Sequence, residues 1–427
     1  MAAALAAACV LPACNAGQGE AVNTKSDYQS VNEVKEPEPV SYEDYDSRWE
    51  REEENPLDEA FLSGVEAFSL RTTGELLKGR KENITYSPVS LYYAMAMAAA
   101  GAGGETKAEM MSLLEITETE QLTQQCRALY RRLFRDDEYS KVKLANSMWL
   151  QKSYPFEKSY LDLAADDFYA SLYQVDFKDE KTGEVIGQWI SEQTEGKLAP
   201  KIEISKEEIL SIINTTYYKS EWMTGFVPTE NLEGEFHRAD GQTVSCEYMT
   251  RTEGMGGFYK GDGFIKSDLR LKAGDMVFIL PDEGVKIDDL LSSDTAMELM
   301  FGRSEMTYGE VDWQIPKFDF KSRMSLNDMV QKLGVRSAFL PDADFSGISP
   351  KGAYITKITQ QTTIGVDENG VEAAAYTEMA LAGAGISHDH AELFLDRPFL
   401  YGITSDEGVL LFAGICNDPT AENGVEN

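Results

Sequence analysis

Apolar residues recur near helical spacing between Pro56 and Gly79, at Phe61, Val65, Phe68 and Leu76, with Asp58 and Glu59 suited to a first turn. Similar patterns predict helices over 88–100, 105–114, 118–134, 155–169 and 183–194. Between them KVKLANSMWL, residues 141–150, alternates and sets Val142, Leu144, Met148 and Leu150 on one side of a strand. After residue 208 strand patterns dominate, in ILSIINTTYY, DMVFIL, EVDWQIPKFDF, AELFL, DRPFLYG and GVLLFAGI. Helices first and strands later predict an α+β fold. Without a repeat or linker after residue 57, one large domain over 57–420 is expected, followed by a short tail at 421–427.

One stretch reads two ways. NGVEAAAYTEMALAGAG, residues 369–385, is rich in helix formers. In steps of two, however, Val371, Ala373, Ala375, Thr377, Met379 and Leu381 form a row with no charge, while Glu372, Tyr376 and Glu378 fall on the opposite row. That is the pattern of a strand with one buried and one wet face.

Composition narrows the function. The 427 residues hold 39 Lys plus Arg against 73 Asp plus Glu, a formal charge of −34. Phosphate backbones need cationic neutralisation, so nucleic acid is excluded as a partner. Residues 1–14 begin with MAAALAAACVLPA, an apolar run too short to span a bilayer, and read as a signal segment. LPAC ending at Cys14 is similar to a bacterial lipoprotein processing site, with Cys9 a competing cysteine and an unlipidated signal peptide the alternative. Residues 15–56 are rich in Glu, Asp, Ser and Pro and read as a disordered acidic tether. A lipid on Cys14 would then hold the domain outside the cell at the bacterial surface, and free secretion is the alternative. The remaining Cys126, Cys246 and Cys416 are too widely spaced for a metal motif and are expected to be buried thiols.

Enzymatic chemistry has little to work with. The three histidines, His237, His388 and His390, lie in no recognisable triad setting. HDH at 388–390 offers two imidazoles, but no third ligand cluster accompanies them in the sequence, so no metal site is expected. GAGGETK, residues 101–107, has the wrong spacing for a phosphate loop and reads as a turn between helices.

The 366–385 segment VDENGVEAAAYTEMALAGAG resembles the hinge and reactive loop of serpins, a family of suicide protease inhibitors. NITYSPVSLYYAMAMAAAGAGGETKAEM from Asn83, WISEQTEGKL from Trp189 and INTTYYKSEW from Ile213 are similar to further family motifs. IPKFDF, LGVRSAF, ADFSGI, DRPFLYGI and LLFAGICNDP follow in family order. The resemblance implies three sheets, eight or nine helices and no enzymatic activity. It also implies that the exposed loop is offered to a serine protease and enters the largest sheet once cut, a behaviour established for the family as strand addition. A dozen new ladder bonds at roughly 0.5–1.5 kcal/mol each, with several buried apolar side chains, would release on the order of 10–20 kcal/mol.

By the same resemblance, Glu368, Gly370, Val371, Glu372, Ala373, Ala374 and Ala375 form the hinge. Ser87, Ser90 and Asn214 form a shutter that holds the central strands, with Gln360 where many serpins carry histidine. Counting from Gly370 puts the scissile bond at Ala384–Gly385, whereas counting back from Arg397–Pro398 points to Ser387. Either residue is small and uncharged, which implies elastase-like or subtilisin-like serine proteases as partners. A monomer without cofactor is expected, and membrane contact only through the lipid. A non-inhibitory serpin acting as a binding protein, and a secreted hydrolase or solute-binding lipoprotein, are the competing readings.

Overall fold

In the computed structural model of the chain, residues 29–32, 34–302, 304–371 and 389–426 are described. The amino-terminal part runs β1 (Gln29–Asn32), α1 (Tyr45–Glu54), α2 (Glu59–Leu77), β2 (Ile84–Tyr86), α3 (Pro88–Ala100), α4 (Gly104–Leu113) and α5 (Thr119–Leu133). It continues with β3 (Arg135–Asp136), β4 (Ser140–Gln151), α6 (Lys158–Phe168), β5 (Ala170–Val175), α7 (Lys181–Gln193) and β6 (Leu210–Glu221). Then come β7 (Leu232–His237), β8 (Thr243–Lys260), β9 (Phe264–Leu271), β10 (Gly274–Pro281), α8 (Ile287–Leu291), α9 (Asp294–Phe301), β11 (Thr307–Pro316), β12 (Phe318–Ser325) and α10 (Asn327–Lys332). The chain closes with β13 (Thr359–Val366), β14 (Gly370–Val371), β15 (His390–Phe394), β16 (Phe399–Thr404), β17 (Leu410–Cys416) and β18 (Asn423–Glu426).

Local chemistry explains several boundaries. Ser87 caps α3, its Oγ accepting from the Ser90 N–H, and Pro88 occupies the first turn where a missing N–H costs nothing. Asp44 caps α1 in the same way through Ser47. Helices α2 to α7 fall where apolar spacing predicts them, each within a few residues at its ends.

The first sheet runs β1-β5-β4-β6-β14-β13-β12-β18, with β3 on β4, and the second β15-β11-β8-β9-β10-β16-β17-β2, with β7 on β8. The α+β class holds, while the described residues form ten α-helices and two hydrogen-bonded sheets instead of three. Long β8 makes the difference, pairing with β7 from Thr243, with β11 from Tyr248 and with β9 from Phe258, so two smaller sheets become continuous.

Strand β4 shows why alternation alone underestimates burial. Val142, Leu144, Met148 and Leu150 face the main core. The intervening Ala145 and Trp149 are equally buried, because Val185, Ile186, Trp189 and Ile190 of α7 cover the other face. An antiparallel sheet may leave one face wet, but a helix laid across it removes the alternation.

Of the expected tether, residues 29–32 and 34–56 are described, and they contact the domain. β1 pairs antiparallel with β5, α1 follows, and Lys143 reaches Glu36 at 2.9 Å. Ser41 Oγ and the Tyr42 N–H both donate to the Glu138 carboxylate, and the Tyr42 and Tyr139 rings meet edge-on at 5.4 Å. Few aliphatic residues made this segment look unfoldable; aromatic, cationic and ladder contacts to the domain replace a core of its own. The tail is likewise engaged, as β18 pairs with β12. Cys14, the signal segment and the arm up to residue 28 lie outside the described residues.

Candidate functional site

The site lies in the middle of the first sheet, where β14 is wedged between β6 and β13. Gly370 pairs with Glu221, Val371 with Ser220, and Val371 also with Val366. A Cβ on Gly370 would stand 2.2 Å from the Ser220 carbonyl oxygen, so the backbones approach in a way only glycine permits. Val371 is buried at 2% exposure.

The turn before β14 is held from three directions. The Trp222 indole N–H donates to the Asp367 carbonyl, the Phe226 N–H to that of Glu368 and the Trp222 N–H to that of Asn369, at 2.9, 3.0 and 2.9 Å. Asp367 Oδ1 accepts from the Asn369 and Gly370 N–H groups at 2.7 and 3.3 Å. The Glu368 carboxylate accepts from Asn231 Nδ2 and from Lys317 Nζ, the latter at 3.1 Å. Burial pushes Glu368 upward, but its own amide, Asn231 and Lys317 outweigh that and hold its pKa below the ordinary value.

Past Val371, β6 and β13 run in the same direction, and among the described residues no ladder joins them directly. A cleft of about 520 Å³ opens there between Leu210–Thr215 and Thr359–Gln361, backed by Leu91 and Met95 of α3. A strand placed between two strands that are not paired with each other can satisfy the facing row of backbone groups on each.

The expected shutter residues stand beside this cleft. Gln360 and Ser87 exchange two bonds, Ser87 N–H to Gln360 Oε1 at 2.8 Å and Gln360 Nε2 to Ser87 O at 2.9 Å. Ser87 Oγ lies 3.4 Å from Thr216 Oγ1, so the start of α3 touches both flanking strands. Ser90 is drawn in only through its amide, on Ser87 Oγ. Asn214 is placed differently: its Nδ2 donates to Asn146 Oδ1 on β4, and Asn146 Nδ2 donates to the Phe168 carbonyl at 2.6 Å. No hydrogen bond joins Asn214 to Ser87, Ser90 or Gln360 among the described residues, so it ties β6 to β4 and α6, away from β13.

A family model described as "Serpin (serine protease inhibitor)" matches residues 63–419. The chain belongs to the serpin family. It is 28% identical over 358 residues to serpin A3-5 of Bos taurus, covering 81% of this chain and 85% of that protein. It is 29% identical over 369 residues to serpin-ZX of Arabidopsis thaliana, covering 80% and 93%. The crystal structure of the thermophilic serpin tengpin in its native state is similar at a TM-score of 0.78 and 27% identity, over 92% of this chain and 100% of that one. Thyroxine-binding globulin in complex with thyroxine shares the fold at a TM-score of 0.72 and 22% identity, over 85% and 99%.

Of the hinge residues, Gly370 and Val371 are seated in this serpin's sheet and Glu368 lies in the turn just before them. Glu372, Ala373, Ala374, Ala375, Ala384, Gly385 and Ser387 lie outside the described residues. Sequence reasoning missed Trp222, Phe226, Asn231 and Lys317 as partners of the hinge. Trp222 at the end of INTTYYKSEW and Lys317 within IPKFDF stood in quoted motifs, but nothing local tied them to the hinge, because each contact spans more than fifty residues of chain.

Proposed function

We propose that this serpin is a suicide inhibitor of serine proteases and not an enzyme, trapping the acyl-enzyme by inserting its cut loop between β6 and β13 as a continuation of β14. The observation that carries this reading is β14 itself. The first two residues of the loop already form a strand between β6 and β13, and among the described residues no ladder crosses the cleft beyond them. Continuing the register would bring Ala373 and Ala375 inward after Val371, small uncharged side chains with little steric cost. The bait bond is Ala384–Gly385, or the bond after Ser387, which suits elastase-like or subtilisin-like proteases. The protein acts as a monomer without cofactor, tethered outside the cell through lipid on Cys14.

Incubation with pancreatic elastase should give a complex that survives SDS, and the released carboxy-terminal peptide should begin at Gly385. Clean cleavage without such a complex, across several proteases that prefer small residues, overturns the inhibitory reading. Ala373→Arg should leave cleavage intact and abolish trapping, since a guanidinium cannot be buried unpaired in the sheet.

A further inference from the structure

The strand that leaves the reactive loop carries a group that inhibition does not use. β15 begins at His390 and, among the described residues, lies at the edge of the second sheet and pairs in parallel with β11 alone. Glu310 and Asp312 sit two apart on β11 and so share a face; His390 is opposite Glu310, and Glu392 is opposite Asp312. One donor atom each from Glu310, Asp312 and His390 can be chosen so that all lie within 4.8 Å of one another. His390 Nε2 is 3.0 Å from Asp312 Oδ2. The partners that His390 lacks in the sequence around HDH are thus supplied by Glu310 and Asp312, from a strand some eighty residues earlier in the chain.

We propose that Glu310, Asp312 and His390 bind a divalent zinc ion, which staples β15 to β11. An imidazole with carboxylates is a donor set for borderline divalent ions, and it separates this cluster from an ordinary acidic patch. Ligands on one tetrahedral zinc at about 2.0–2.2 Å stand roughly 3.4 Å apart, a spacing the His390–Asp312 pair at 3.0 Å already approaches, while the exposed Glu310, with its donor atom within 4.8 Å of both, would have to close on the ion. Thr252 Oγ1 donates to Asp312 Oδ1 at 2.5 Å, leaving Oδ2 aimed at the imidazole. Such outer hydrogen bonds fix a ligand's orientation. The side chains of Asp312 and His390 are 33% and 43% exposed, so water can complete the coordination. Because the ligands come from two strands, the ion adds a cross-link where β15 has no second neighbour among the described residues. It would fix the end of the loop opposite to Gly370.

The test uses the full chain and zinc chloride alone, by calorimetric titration. One saturable equivalent is expected, weakened about tenfold or more in His390→Ala and in Asp312→Asn, and by a smaller factor in Thr252→Val. All three sites are on the surface, and unchanged melting without metal establishes that the variants fold. Amide exchange over residues 391–394 should slow with zinc in the parent and not in Asp312→Asn. Absence of saturable binding, or binding equal in parent and Asp312→Asn, overturns the site; unchanged exchange at saturating zinc overturns the staple. No protease enters the measurement, so its outcome is separate from that of inhibition.

Discussion

Gln360→Ala probes how firmly the two sides of the cleft are held. Gln360 is 6% exposed and makes two bonds of 2.8 and 2.9 Å with the Ser87 backbone. At roughly 0.5–1.5 kcal/mol net each, their loss costs about 1–3 kcal/mol. The two Ser87 groups then differ. The carbonyl keeps a long bond from the Leu91 N–H at 3.4 Å, but the N–H has no other acceptor among the described residues. A buried unsatisfied donor costs about 1–3 kcal/mol, and the adjoining cleft can admit water to repay part of it. The unsatisfied N–H penalty replaces the net value of its own bond and is not added to it, so with the lost carbonyl bond and some water entry the expected destabilisation is about 1–4 kcal/mol. Gln360→Leu separates causes, since it keeps most of the volume and loses the same bonds. Urea unfolding of the uncleaved protein, compared at equal slope, reads the difference. If both variants fall within about 0.5 kcal/mol of the parent, as surface substitutions do, the Ser87–Gln360 exchange does not brace the sheet.

Gly370→Ala places a Cβ 2.2 Å from the Ser220 carbonyl oxygen and should expel β14 at a cost of about 1–3 kcal/mol; unchanged hydrogen exchange at Val371 would contradict the close approach. Glu368 has a lowered pKa, so its contribution is present in full above the unfolded glutamate value of about 4.3 and is lost as pH falls through the lower folded value. The parent should thus exceed Glu368→Gln in stability near neutrality, with the gap closing on acidification; a gap that widens in acid would reverse the assigned sign. Tyr42→Ala removes the edge contact to Tyr139 and the Lys272 ammonium 4.9 Å above the Tyr42 ring, and should cost about 1–2 kcal/mol in a melting experiment. No loss would mean that the Tyr42 ring contacts add nothing to the stability of the domain.

The parts legible in advance were those with a local cause. Ser87 followed by Pro88 marks the start of α3, and the spacing of Phe61, Val65 and Phe68 marks α2, without reference to any other segment. Val371 heads an alternating row, and its burial at 2% agrees with that row facing inward. The amino-terminal arm was misread because counting aliphatic residues ignores pairing with a strand from elsewhere, as β1 does with β5. Asn214 was grouped with Ser87 from its motif, yet the register of β6 against β4 hands it to Asn146.

The sequence by itself determined the α+β class, the helices from α2 to α7, the buried thiols at Cys126, Cys246 and Cys416, and the uncharged row that a sheet can accept. Periodicity, caps and side-chain polarity act over a few residues, so they are written along the chain. Only the tertiary structure decided that β8 joins two sheets, that Trp222 and Lys317 clasp the hinge, and that Glu310 and Asp312 meet His390. Those facts depend on which strands become neighbours, and neighbours are chosen by the free energy of the whole packed core, which no single segment contains.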